Sequence, residues 1–131
     1  MVNPTKENNM GLDMYIKRDA DHEEIYWRKA NAIHGWFERK LASKEEELEN
    51  CKSYPITKEL VTELLETVEE VLTKRELELA STKLPTMSGF FFGTTEYDNN
   101  YWGDLEYTKE QLLRLLDRWD SASCYYYYAW W

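Results

Sequence analysis

The sequence predicts an α+β domain, a small sheet of about three strands with three main helices packed on one face. Three observations lead there. Strand-like patterns stand near both ends of the chain, at residues 10–17 and 124–131. Between them lie stretches whose apolar residues recur at helical spacing. The order β-α-α-β-α-β also supplies too few helices to cover both faces of a sheet. With 131 residues, 43% of them hydrophobic, the chain is long enough for one packed core. There is no internal repeat and no linker rich in Gly, Ser or Pro. The expected organisation is a polar tail over residues 1–9 and a single domain over 10–131.

The first strand follows from alternation. Leu12, Met14 and Ile16 fall on one side and Asp13, Tyr15 and Lys17 on the other. Asp19 or Asp21 then offers a helix cap, with Glu23 and Glu24 in the first turn where the helix dipole favours acids. The spacing of Tyr26, Ala30, Ile33, Phe37 and Leu41 predicts a helix over about 22–41. Residues 43–54 read as a charged connection. Pro55 followed by Thr57 starts a second helix, apolar along Leu60, Val61, Leu64, Val68 and Val71, acidic along Glu59, Glu63, Glu66, Glu69 and Glu70. The pattern blurs from Arg75 to Leu84, and Pro85 closes it. Gly89 to Gly93 encloses three Phe and reads as a short buried strand. A loop over 94–107 follows. Thr108 with Gln111 then forms a capping box for a third helix, buried along Leu112, Leu115, Leu116 and Trp119. The final run from Cys124 to Trp131 favours a strand.

Charge and cysteine usage narrow the function. The net charge is −9, and residues 1–42 are neutral, so residues 43–131 carry all of it. That balance argues against direct grip on nucleic-acid backbones. No apolar run approaches the roughly 20 residues of a membrane helix, and the N-terminus lacks a signal-peptide pattern, so no membrane partner is expected. Cys51 and Cys124 stand alone and read as reduced thiols of a cytoplasmic protein. Residues 98–103 only faintly match a calcium loop, and two His without CxxC spacing leave no zinc site. No catalytic motif is present. The expectation is therefore a protein with no metal, no cofactor and no enzymatic activity, a small hydrolase being the minor alternative.

Two groups of residues suit a ligand. On the predicted 22–41 helix, Trp27, Arg28, Asn31 and His34 form one strip beside the core stripe. An indole, a guanidinium, an amide and an imidazole together can stack on a base and bond a phosphate. The second group is Ser88, Tyr97, Asp98 and Tyr101, at the polar and aromatic ends of the 89–93 strand. Whether the two groups face one another is not legible in sequence. The last strand is aromatic on both sides, with Tyr126, Tyr128 and Trp130 opposite Tyr125 and Tyr127. Either it is buried on both sides or its outer side is covered by a second copy of the chain, a homodimer.

The segments Met10-Gly-Leu-Asp-Met-Tyr15, Tyr26 to Phe37, Asn50-Cys51, Tyr54-Pro-Ile56, Leu84 to Gly93, and Tyr97-Asp98 with Tyr101 carry a resemblance. In these the chain resembles a family of small proteins encoded by phages and prophages. The resemblance implies that residues 1–9 precede the usual start at Met10, and that the protein acts in the cytoplasm of an infected bacterium. The family supplies no catalytic or ligand residue to carry over. The expected function is a non-enzymatic counter-defence protein that sequesters a nucleotide-type immune signal. The alternative is an inhibitor whose acidic, nucleic-acid-mimicking surface binds a host defence protein such as a CRISPR nuclease.

Overall fold

The computed structural model describes residues 11–42, 48–88 and 94–131. The fold is α+β, with four strands and four helices among these residues. In chain order they are β1 (Asp13–Arg18), β2 (His22–Arg28), α1 (Asn31–Leu41), β3 (Lys52–Ile56), α2 (Lys58–Lys74), α3 (Leu77–Lys83), α4 (Asn99–Asp117) and β4 (Tyr125–Trp130). The sheet runs β2-β1-β4-β3 and every neighbouring pair is antiparallel.

Alternation gives the sheet two different faces. Met14, Ile16, Ile25, Trp27, Tyr125, Tyr127 and Ala129 are buried on one. There the Phe37 ring of α1 stacks on Tyr127 with centroids 4.0 Å apart, and Trp119 stacks on Tyr125 at 3.7 Å. The other face presents Tyr15, Tyr26, Tyr126, Tyr128 and Trp130, none of them fully buried. Lys17 Nζ lies 4.2 Å from the centre of the Tyr128 ring, a cation–π contact.

The helix expected over 22–41 is in fact two elements. Residues 22–28 form a hairpin with β1, because Ile25 and Trp27 point into the core while Tyr26 and Arg28 point away, a period of two that a helix does not give. Asp19, expected as a cap, instead makes the turn at φ 56°, and its carboxylate accepts from the Cys124 backbone N–H at 3.2 Å. Lys29, also at φ 56°, ends β2 and turns the chain into α1.

Two further expectations are corrected. Part of the charged connection is the edge strand β3, whose Pro55 sits where an edge tolerates it. The last helix starts at Asn99, because Asp98 caps it by accepting from the backbone N–H groups of Asn100 and Tyr101. Thr108 is therefore no cap but a buried helix residue. The strand expected over 89–93 lies outside the described residues. The second helix stands as read, capped by Thr57 through Leu60 N–H.

Thr108 links sheet to helix. Its hydroxyl donates to the Asp104 carbonyl at 2.6 Å and accepts from Trp27 Nε1 at 2.8 Å, with both side chains buried. Thr108→Val keeps the shape and orphans the indole N–H. Urea unfolding should show a loss of about 1–3 kcal/mol.

Candidate functional site

The turn from β2 into α1 forms one wall of a cavity of about 230 Å³, lined by Arg28, Lys29, Asn31, Tyr101 and Asp104 among others. The left-handed Lys29 is fixed by its N–H donating to the Leu12 carbonyl at 2.6 Å. A lysine in that conformation is strained by about 1 kcal/mol, strain of a kind that gathers at functional sites. α1 begins there with no capping side chain and no acid in its first turn. Its positive dipole end is thus left for something anionic.

The opposite wall is the start of α4. Asn100 and Asp104 stand one turn apart and both line the cavity. Tyr101 lies between them, its hydroxyl donating to the Leu84 carbonyl at 2.8 Å. Burial pushes the Asp104 carboxyl up to about 7, with the Asp98 charge adding to the shift.

Asn31 holds the third wall. Its amide donates to the Thr94 carbonyl at 2.8 Å and accepts from Met87 N–H at 3.0 Å. Thr86 reinforces it, donating from its hydroxyl to the Thr95 carbonyl at 2.9 Å and from its N–H to the Tyr97 hydroxyl at 3.2 Å. At Gly35 on the next turn of α1, a Cβ would lie 3.3 Å from Arg39 Nη1 and 3.4 Å from Met87 Cβ.

The residues expected from sequence are therefore distributed unevenly. Arg28, Asn31 and Tyr101 come together in the cavity wall. Arg28 also donates to Asp13 Oδ1 at 3.1 Å, as does the Tyr26 hydroxyl at 2.6 Å. Ser88 is exposed, Tyr97 supports Thr86, and Asp98 caps α4. Trp27 and His34 do not share a surface strip with Arg28. Trp27 is on a strand, 2% exposed, and His34 is 0% exposed. His34 Nδ1 lies 2.6 Å from the Tyr127 hydroxyl, and Nε2 lies 3.6 Å from a Glu38 oxygen. Asp104, Asn100 and Glu96, which the sequence reading did not select, also line the cavity. The i,i+4 spacing of Asn100 and Asp104 behind the Asp98 cap is the signal that would have found the first two.

Residues 98–103 form the cap and first turns of α4, not an ion loop. Among the described residues no group of three His, Cys, Asp or Glu could hold a metal, and no helix is long and apolar enough to cross a membrane. Cys51 and Cys124 are exposed and unbridged. No protein family, curated protein or solved structure matches the chain.

Two groups give stability opposite pH dependences. Burial lowers His34 from 6.5 to about 4, so its contribution is fully present above pH 6.5 and roughly 3 kcal/mol of it is lost as pH falls toward 4. Asp104 is raised from 3.8 to about 7, so its contribution is greatest below 3.8 and is lost as pH rises toward 7. The two offset each other between about pH 4 and 6.5. Denaturation of Asp104→Asn across that range should show stability rising steeply with pH, where the unsubstituted protein is nearly flat.

Proposed function

We propose that the protein is a non-enzymatic phage counter-defence protein that binds and sequesters a nucleotide-type immune signal in the cavity between the β2–α1 turn and α4. The observation that carries this reading is the meeting of Arg28, Lys29, the uncapped start of α1 and the aromatic Tyr101 in one cavity. Arg28 and Lys29 meet phosphate, and Tyr101 supplies an aromatic wall for a base. Trp27 and His34 are buried in the core and do not line the cavity. At about 230 Å³ the cavity is smaller than most drug-sized ligand sites, which suits one nucleotide unit per chain. The phage setting and the bacterial cytoplasm rest on the resemblance of the sequence segments.

Titration calorimetry against cyclic nucleotides, cyclic dinucleotides and ADP-ribose derivatives tests the site. Lys29→Gly relieves the left-handed strain while removing the ammonium. It should leave stability within about 1 kcal/mol and weaken binding about tenfold or more. Arg28→Ala should weaken binding similarly, with some instability from the stranded Asp13. Unchanged affinity in both variants would end the assignment, and ligand recovered altered by chromatography would favour a hydrolase.

We also propose that the partly exposed sheet face, with Tyr126, Tyr128 and Trp130, is the interface of a homodimer. Sedimentation should show a dimer that Tyr128→Glu converts to monomer. The second reading, an inhibitor that contacts a host defence protein, is favoured by Glu59, Glu63, Glu66 and Glu70, all exposed on α2. Charge reversal at Glu63, Glu66 and Glu70 should abolish such binding and spare ligand uptake.

A further inference from the structure

The cavity is lined by both basic and acidic side chains. Arg28 and Lys29 come from the β2–α1 turn; Asp104 comes from α4 and Glu96 from the segment before it. Among the described residues no donor bonds the Asp104 side chain: only its backbone carbonyl is used, by Thr108. What raises Asp104 is burial and then Asp98, with no opposing pull from Arg28 or Lys29. Arg28 pairs with Asp13, and among the described residues no ion pair joins Asp104 to Arg28 or Lys29. A ligand that is anionic at the basic residues and donates N–H groups to Asp104 satisfies both.

We infer that the cavity selects a guanine-type base, the Asp104 carboxylate accepting from the ring N–H and the adjacent amino group while Arg28 and Lys29 hold the phosphate. This rests on the nucleotide reading of the same cavity. Among the common bases guanine alone presents two neighbouring donors on its pairing edge, which match the two oxygens of one carboxylate. Adenine and cytosine present a donor beside an acceptor, and uracil a donor between two acceptors. An ionised carboxylate facing those acceptors gains one bond and meets a repulsion. Asn100, one turn before Asp104 on α4, also lines the cavity.

Ionisation of Asp104 makes the preference depend on pH. The groups around it are Asp98, Asn100 and Tyr101 on its own helix, Glu96 before it, and Arg28 and Lys29 across the cavity. With the carboxyl at about 7, its ionised fraction falls about tenfold from pH 8 to pH 6. Guanine binding needs the ionised form and should weaken by about that factor.

The probes are the 3′,5′-cyclic monophosphates of guanosine and adenosine, whose phosphodiesters keep the same single charge between pH 6 and 8. Calorimetry should find the guanosine ligand at least tenfold tighter at pH 8, with that margin shrinking at pH 6. Asp104→Asn should abolish both the margin and its pH dependence while leaving the adenosine ligand little changed. Equal binding of the two ligands, or a margin that survives Asp104→Asn, overturns the assignment of the base. If that equal binding is lost in Arg28→Ala, the nucleotide reading stands and only the guanine preference falls. No binding by either ligand, or by the wider set of nucleotides, overturns both.

Discussion

The structure depends on the pairing of β1 with β4 at the centre of the sheet. Six residue pairs from Asp13↔Trp130 to Arg18↔Tyr125 join segments more than a hundred residues apart. Because those two strands are neighbours, β2 and β3 are forced to the edges and everything between them must lie across one face. The face is chosen by Met14, Ile16, Tyr127 and Ala129, which point the same way from the two strands and are buried together. α1 reaches that face through Phe37 on Tyr127, and α4 through Thr108 under Trp27. Residues at the β2–α1 turn and in the first turns of α4 line the cavity.

Among the described residues, four other than glycine hold positive φ: Asp19, Lys29, Cys51 and Arg75. Each stands at the boundary of an element. Asp19 closes the hairpin, Cys51 precedes β3, and Arg75 ends α2 as a left-handed cap. Lys29 differs in that the turn it makes is also the rim of the cavity. The change of direction that lets β2 hand over to α1 is the same feature that brings a basic side chain, the helix start and Arg28 together. Fold and site are joined at that one residue.

The sequence was most legible where one period ran unbroken. Thr57 to Lys74 carries a cap and a clean amphipathic stripe, and α2 stands there. The first and last strands of the chain, β1 and β4, were also read, the first from its alternation and the last from its β-favouring residues. β2 was missed because Tyr26, Ala30, Ile33 and Phe37 happen to fit helical spacing across a strand and a helix. The alternation of Ile25 and Trp27 is only two residues deep, and pairing with β1 decides the matter. At α4 a capping box at Thr108 competed with the Asp98 cap, and the earlier cap won because Tyr101 and Leu105 are buried against the core. Of the residues that line the cavity, Arg28, Asn31 and Tyr101 had been picked out by residue type, while Asp104 was hidden by reading its helix as a loop. Trp27 was misplaced because it lies on β2 and points into the core, whereas His34 does lie on a helix, α1, but on its buried side.

The position of β4 bears on how the chain avoids aggregation. Tyr-Tyr-Tyr-Tyr-Ala-Trp is uncharged, free of proline and strongly β-forming, the kind of segment that templates amyloid-like pairing when its backbone is open. In the fold it is an inner strand, hydrogen-bonded on both sides, by β1 and by β3. The exposed edges are less hospitable: β3 carries Pro55, and the Tyr107 hydroxyl occupies the Tyr26 carbonyl on β2. The hazard is thus kinetic. It lasts for as long as two distant strands take to find β4, and contacts of such long range form slowly. Folding speed, more than final stability, sets how safely this chain can be made in quantity.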